Sequence, residues 1–206
     1  REDALIAFNI DPIAAFARTG RCDSSLADCI GSDVAISRSL VEAFPKSTVL
    51  RVDARVVHEA GGTEVQELAY LAASFATYMR AAIDAGAEPS RAVRGTLFTV
   101  AVGSDYHVEI PKLRAARRIL GRVAEAFGAE GSIQLQAVTS RRMLAARDAW
   151  TNLLRNTAAC FAAGVGGADI VTVRTFTDAL GHAGPLARRM ARNTQIIAQE
   201  ESGLGR

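Results

Sequence analysis

Histidine is scarce in this chain, with His58, His107 and His182 the only three in 206 residues. Imidazole is the side chain whose ordinary titration falls nearest neutrality, so each is a candidate proton donor or acceptor. His58 stands out because it closes Arg51-Val-Asp-Ala-Arg-Val-Val-His-Glu-Ala-Gly-Gly62, an aliphatic strand-like run turning into glycines. Catalytic groups of βα proteins sit at such strand ends. His107 follows Asp105-Tyr106 at a helix start and His182 lies between glycines, so both read as surface or capping residues. Cys22, Cys29 and Cys160 have no zinc spacing, and three is an odd number for a disulfide framework. They read as free thiols in a reducing cytoplasm, and no metal ligand set is expected. Arg141-Arg142 and Arg188-Arg189 suit phosphate in type but read as solvated helix ends.

These residues must be positioned by the elements around them. Five runs read as short buried strands: 4–10, 48–54, 96–103, 132–138 and 169–176. Each is aliphatic or β-branched with little alternation, as in a parallel sheet covered on both faces. Helical patterns lie between. Thr63-Glu-Val-Gln66 has the form of a capping box and opens a helix ending near Gly86, with Val65, Leu68, Ala72, Phe75 and Met79 on one face. A second helix spans 105–127, with Ile110, Leu113, Ala116 and Leu120 inward. A third spans 148–163, and a fourth, 184–201, carries Leu186, Met190, Asn193 and Ile197. Tyr70, Tyr78 and Trp150 fall at helical positions and read as packing.

Alternating strands and helices predict parallel βα units. The first strand is followed by no GxGxxG. The cluster Gly164-Val-Gly-Gly167 follows a helix and precedes a strand, the reverse of a phosphate loop, and reads as a helix C-cap. A dinucleotide fold therefore loses ground and a (β/α) barrel gains it, with five parallel βα units in view; the pattern alone goes no further than a parallel βα protein. Five units do not close an eight-stranded barrel, and the open edges need cover from further strands or a partner.

A net charge of +2 is too small to point to nucleic acid. No apolar run reaches membrane-spanning length, so no membrane partner is expected. The start, Arg-Glu-Asp-Ala-Leu-Ile-Ala-Phe-Asn, has neither a secretory pattern nor an initiator Met, and the chain reads as a piece of a longer one.

At RVDARVVHEAGGTEVQELAYLAA, PKLRAARRILGRVAEAFG and MARNTQIIAQEESGLGR the sequence resembles the methylmalonyl-CoA mutase family. The similarity covers nearly all of it and corresponds to strands four to eight of that family's substrate barrel. The resemblance implies a TIM-type α/β fold, a CoA thioester substrate and adenosylcobalamin radical chemistry, which the cofactor supplies. The first three barrel strands and the cobalamin-binding domain, with its Asp-x-His-x-x-Gly loop, are expected outside these residues; 1–206 is read as a single partial barrel domain.

The resemblance also says where working residues should stand. Aligned on Glu-Ala-Gly, the histidine that donates to the thioester carbonyl falls on Val56, which has no donor, and His58 falls on a glutamine position. If the strand ran on, parity would put His58 on the same side as Val56. Asn9 replaces a substrate-contacting glutamine, and a carboxylate-binding arginine falls on Thr19, with Arg18 adjacent. Gln136 replaces a histidine, Val138 a cofactor-facing glutamine, and Asp178 shortens the carboxylate that meets the adenosyl ribose. Asn9, Gln136 and Asp178 are thus vestigial cofactor-site candidates, and no catalytic residue is expected.

The reading is a non-catalytic small subunit of a heterodimeric adenosylcobalamin-dependent mutase. Its partner would be the large catalytic subunit, which binds the CoA thioester and interconverts methylmalonyl-CoA and succinyl-CoA. Adenosylcobalamin would belong to the holoenzyme and not be held by this chain. The alternative is an active acyl-CoA mutase with an altered pocket, using His58 and Asn9.

Overall fold

The computed structural model describes residues 4–204. They form a five-stranded open sheet in the order β1-β2-β3-β4-β5, with parallel pairing. Spatial order follows chain order without reversal. A doubly wound sheet would show a switch point, whereas successive staves of a (β/α) barrel are laid down in this way. The chain divides into two compact units, 1–99 with 116–135 and 100–115 with 136–206.

In the first unit, β1 (Ala7–Ile10) is followed by α1 (Pro12–Thr19). Asp11 caps α1 by accepting from the Ala14 amide, Pro12 occupies a position whose N–H would go unused, and Gly20 stops the helix at φ +65°. Then come α2 (Leu26–Ala43), β2 (Thr48–Asp53), a single helical turn α3 (Arg55–Glu59), α4 (Glu64–Asp84) and α5 (Pro89–Arg94). The Thr63–Gln66 capping box is present, with both reciprocal bonds made. Strand β3 (Thr96–Val102) is buried at all seven positions, and Phe98 meets Phe75 of α4 edge-on at 4.6 Å.

The second unit takes in the end of β3, the first turns of α6 (Tyr106–Ala126) and most of β4 (Gln134–Thr139). It continues through α7 (Thr151–Val165), β5 (Ile170–Thr172) and α8 (Pro185–Glu200). Helix α7 ends at Gly166 and Gly167 takes φ +84°, so the glycine cluster is a helix stop.

Three expectations about helix faces change. On α4 Phe75 and Met79 are buried as expected, but Glu67, Leu71, Ser74 and Tyr78 are buried with them and Val65 is 76% exposed. The apolar stripe therefore misplaced the first turn, because polar side chains with internal partners take that face. On α8, Ala187 and Ala191 are buried, while Leu186 and Ile197 are largely exposed. Trp150 is 60% exposed and lies stacked on Phe176 at 4.8 Å. Helices α1, α2, α3 and α5 lie outside the expected helical ranges. No helix among the described residues is long and apolar enough to cross a membrane.

Candidate functional site

Strand β2 ends on Asp53, which is 2% exposed and yet surrounded by guanidinium groups. Arg55 donates to it twice, from Nε to Oδ1 at 2.8 Å and from Nη2 to Oδ2 at 2.7 Å. Arg18, from α1, donates to Oδ2 at 2.5 Å, and the Arg51 guanidinium lies 3.8 Å away. Burial works to raise the Asp53 carboxyl, but the bonds and charge of Arg55, the charge of Arg51 and the Arg18 bond together hold it below the usual carboxylate range.

A second carboxylate, the half-buried Asp11, stands beside it and is held by neutral donors. Its Oδ1 accepts from the Tyr78 hydroxyl at 2.6 Å and the Ala14 amide at 2.9 Å, and its Oδ2 accepts from the Asp53 amide at 2.7 Å. Burial dominates here and pushes the Asp11 carboxyl up, aided by the Asp53 charge and opposed by these donors. Burial also pushes the Tyr78 phenol up, and that of Tyr70, on the same helix, to about 12. An open cavity of about 440 Å³ adjoins the group, lined by Asn9, Asp11, Arg18, Asp33, Arg51 and Asp53 among others.

Asn9 stands where the resemblance expects a substrate contact. Its backbone takes φ +60°, and its side-chain amide donates to its own strand at the Ala7 carbonyl, 2.9 Å away. The left-handed residue coincides with an irregular register between β1 and β2. Asparagine tolerates this conformation because its short amide bonds locally. Thr19 is exposed and its hydroxyl donates to the Ala15 carbonyl, whereas Arg18 reaches Asp53.

Val56 and His58 are both buried, but the strand ends before them. They sit on α3, where two residues subtend about 200° around the axis, so they project to nearly opposite sides. The parity expectation for His58 is therefore corrected: the chain turns helical straight after Asp53, and strand alternation no longer applies. Ala54 begins the turn with its amide donating to the Thr99 carbonyl at 2.9 Å. His58 is engaged within the protein.

In the second unit, Gln136 is half-buried and donates from Nε2 to the Thr172 hydroxyl at 3.0 Å, within the β4–β5 pair. Val138 is buried and offers no polar group. Asp178 lies in a short 3-10 turn, with Arg174 at 3.4 Å and Arg141 at 3.7 Å. Arg174 also donates to the Thr139 carbonyl from Nε, while its amide donates to the Thr139 hydroxyl. The Asp178 carboxylate is thus paired internally.

Two arrangements carried no motif. Lys112 and Glu109, both buried on α6, form an ion pair at 2.5 Å. Lys112 also donates to the Ala101 carbonyl at 2.7 Å, and Glu109 accepts the Gly103 amide at 2.7 Å, so the pair fastens the end of β3 to the next helix. Asn152 donates to the Ala145 and Phe176 carbonyls and accepts from the Ala145 amide, holding two loops to α7. A repeated arginine pattern around Asp53, at 51 and 55, was the available signal for the first cluster; nothing local marked the others.

His107 and His182 are exposed, as are Arg141, Arg142, Arg188 and Arg189. His107 lies against the Tyr106 ring at 4.1 Å between centroids. The free-thiol expectation is corrected for Cys22 and Cys29, which the loop entering α2 brings together as a disulfide. Cys160 is the free, buried cysteine. No group of three His, Cys, Asp or Glu residues among the described residues is placed to hold a metal ion.

The strand order and the clustering of polar groups at strand ends define a parallel βα protein of the barrel type. Residues 6–206 match the family model described as methylmalonyl-CoA mutase. The methylmalonyl-CoA mutase small subunit of Streptomyces virginiae is 44% identical over 198 residues, which is 95% of this chain and 32% of that protein. The small subunit of Propionibacterium freudenreichii subsp. shermanii is 36% identical over 210 residues, 100% of this chain and 32% of that one. A methylmalonyl-CoA mutase of Escherichia coli is 32% identical over 167 residues, 79% of this chain and 23% of that one. The chain belongs to the methylmalonyl-CoA mutase family. It spans about a third or less of the length of these curated relatives.

Proposed function

We propose that this chain is the partial substrate barrel of a non-catalytic small subunit in a heterodimeric, adenosylcobalamin-dependent methylmalonyl-CoA mutase. Its role is to pair with and support the large subunit, which interconverts methylmalonyl-CoA and succinyl-CoA. The observation that carries the reading is Val56, a buried aliphatic residue where the family resemblance expects the histidine that meets the thioester carbonyl. Removing that donor withdraws the group able to stabilise charge on the carbonyl oxygen.

The vestigial positions support the same reading. The Asn9 amide bonds its own strand, Gln136 bonds Thr172, Asp178 is paired with arginines, and Val138 has no polar atom to offer. These residues do not fit a role in holding adenosylcobalamin, and no step is assigned to it on this chain. The cofactor and the CoA thioester belong, in this proposal, to the large subunit, and the assembly is placed in the cytoplasm. The names of the relatives from Streptomyces virginiae and Propionibacterium freudenreichii favour the small-subunit role. An active acyl-CoA mutase working through His58 is the competing reading, and the helical position of that residue weakens it.

Native mass spectrometry of the full chain, alone and co-expressed with a catalytic mutase subunit, tests the proposal. The expected result is a one-to-one heterodimer with cobalamin mass on the large subunit only. A self-associated chain that carries cobalamin would overturn it.

A further inference from the structure

The Asp53 cluster joins three cations from three elements, α1, β2 and α3, on one carboxylate. Arg18 comes from α1, and Arg51 and Arg55 flank the end of β2. The two nitrogens of Arg55 take one carboxylate oxygen each, the forked geometry by which a guanidinium recognises a free carboxylic acid. Arg18 adds a further donor at 2.5 Å from across the chain. Arg18 is 44% exposed and lines the adjoining open cavity, so the cluster is reached from solvent. The carboxylates of Asp11 and Asp33 also line that cavity, and the exposed and buried acids Glu59 and Glu67 bear on Arg55 by charge. Asp11 accepts from the Tyr78 hydroxyl and from the Ala14 and Asp53 amides, which leaves Asp53 as the acid that the arginines directly grip.

We propose that Arg18, Arg51 and Arg55 form a binding site for a small monocarboxylate, which the chain fills with its own Asp53 side chain and so closes to external acids. The inference stands on this geometry and does not depend on the subunit reading. Asp53 is the residue that sets this specificity, because truncating it removes the internal carboxylate and leaves the grip.

The test is chemical rescue in the full chain. Asp53→Ala should melt well below wild type, and acetate or formate should raise its melting temperature with the logarithmic dependence of ligand linkage. Sodium chloride at equal ionic strength should not reproduce the rise. Wild type should respond to acetate no more than to chloride. Asp53→Asn, which keeps the side-chain volume in place, should also show no selective rescue. Should Asp53→Ala fail to fold, recovery of soluble protein on refolding in formate against chloride is the readout, with recovery in formate alone expected. Equal responses to acetate and chloride, equal recovery in formate and chloride, or an acetate response as large in wild type would each overturn the proposal.

Discussion

Replacing Lys112 by Met isolates the worth of the buried pair on α6. The change keeps most of the aliphatic stem and deletes the ammonium. Glu109 then retains the Gly103 amide but loses the cation at 2.5 Å, and the Ala101 carbonyl loses its 2.7 Å donor. Breaking one side of a buried ion pair costs about 3–5 kcal/mol, because the remaining charge stays desolvated. The lost neutral acceptor adds about 1 kcal/mol. Lys112→Met should therefore destabilise by about 4–6 kcal/mol, a large fraction of an ordinary domain's total of about 5–15 kcal/mol. Adding Glu109→Gln removes the stranded charge while preserving an acceptor for the Gly103 amide. The double variant should lie within about 1–2 kcal/mol of wild type, since apolar replacement of a whole pair is often nearly neutral. Urea unfolding followed by circular dichroism gives both values, provided the denaturant slope is unchanged. A loss below about 1 kcal/mol for Lys112→Met, or a double variant no better than the single, would refute the assignment of the pair as the β3–α6 fastener.

Asn152→Ala should cost about 3–5 kcal/mol on the same assay, because it strands the Ala145 and Phe176 carbonyls and the Ala145 amide in a buried place; a cost under about 1 kcal/mol would count against loop anchoring. The lowered Asp53 carboxyl stabilises the fold above the unfolded value of about 3.9, and that contribution is lost as pH falls through its lower folded value. The raised Asp11 carboxyl works in the opposite sense, costing stability at neutral pH and relieving that cost in acid. Asp53→Asn should accordingly be less stable at pH 7 and lose less stability than wild type below about pH 4; an unchanged acid limb would contradict this. Val56→His alone should give no isomerase turnover, read by coupled assay of the chain with CoA ester and adenosylcobalamin, since the proposed reading has it restore one donor among several missing polar groups; measurable turnover would contradict the proposed non-catalytic role.

The strands were legible in the sequence because buried parallel strands are written as short continuous aliphatic runs; four of the five fall within the expected ranges, and β4 runs one residue past its own. Helix α4 was legible from its own ends, since a capping box is a contact between residues three apart. The expectation that Val56 stands where the family carries a donor came from the resemblance and needed no coordinates. What happens after Asp53 was not. The aliphatic run Arg55-Val-Val favours a continued strand, but the chain turns helical there, which sends Val56 and His58 to different sides. The same limit hid the partners of Asp53, one of which is 35 residues away on α1, and the buried Glu67 and Ser74 that share the inward face of α4 with Leu71, Phe75 and Met79. Local pattern records which residues prefer burial or a cap. Only tertiary packing decides which distant charges meet, because that depends on where strand ends and helix starts are brought together, and at Asp53 it turns three arginines and one carboxylate into a filled site.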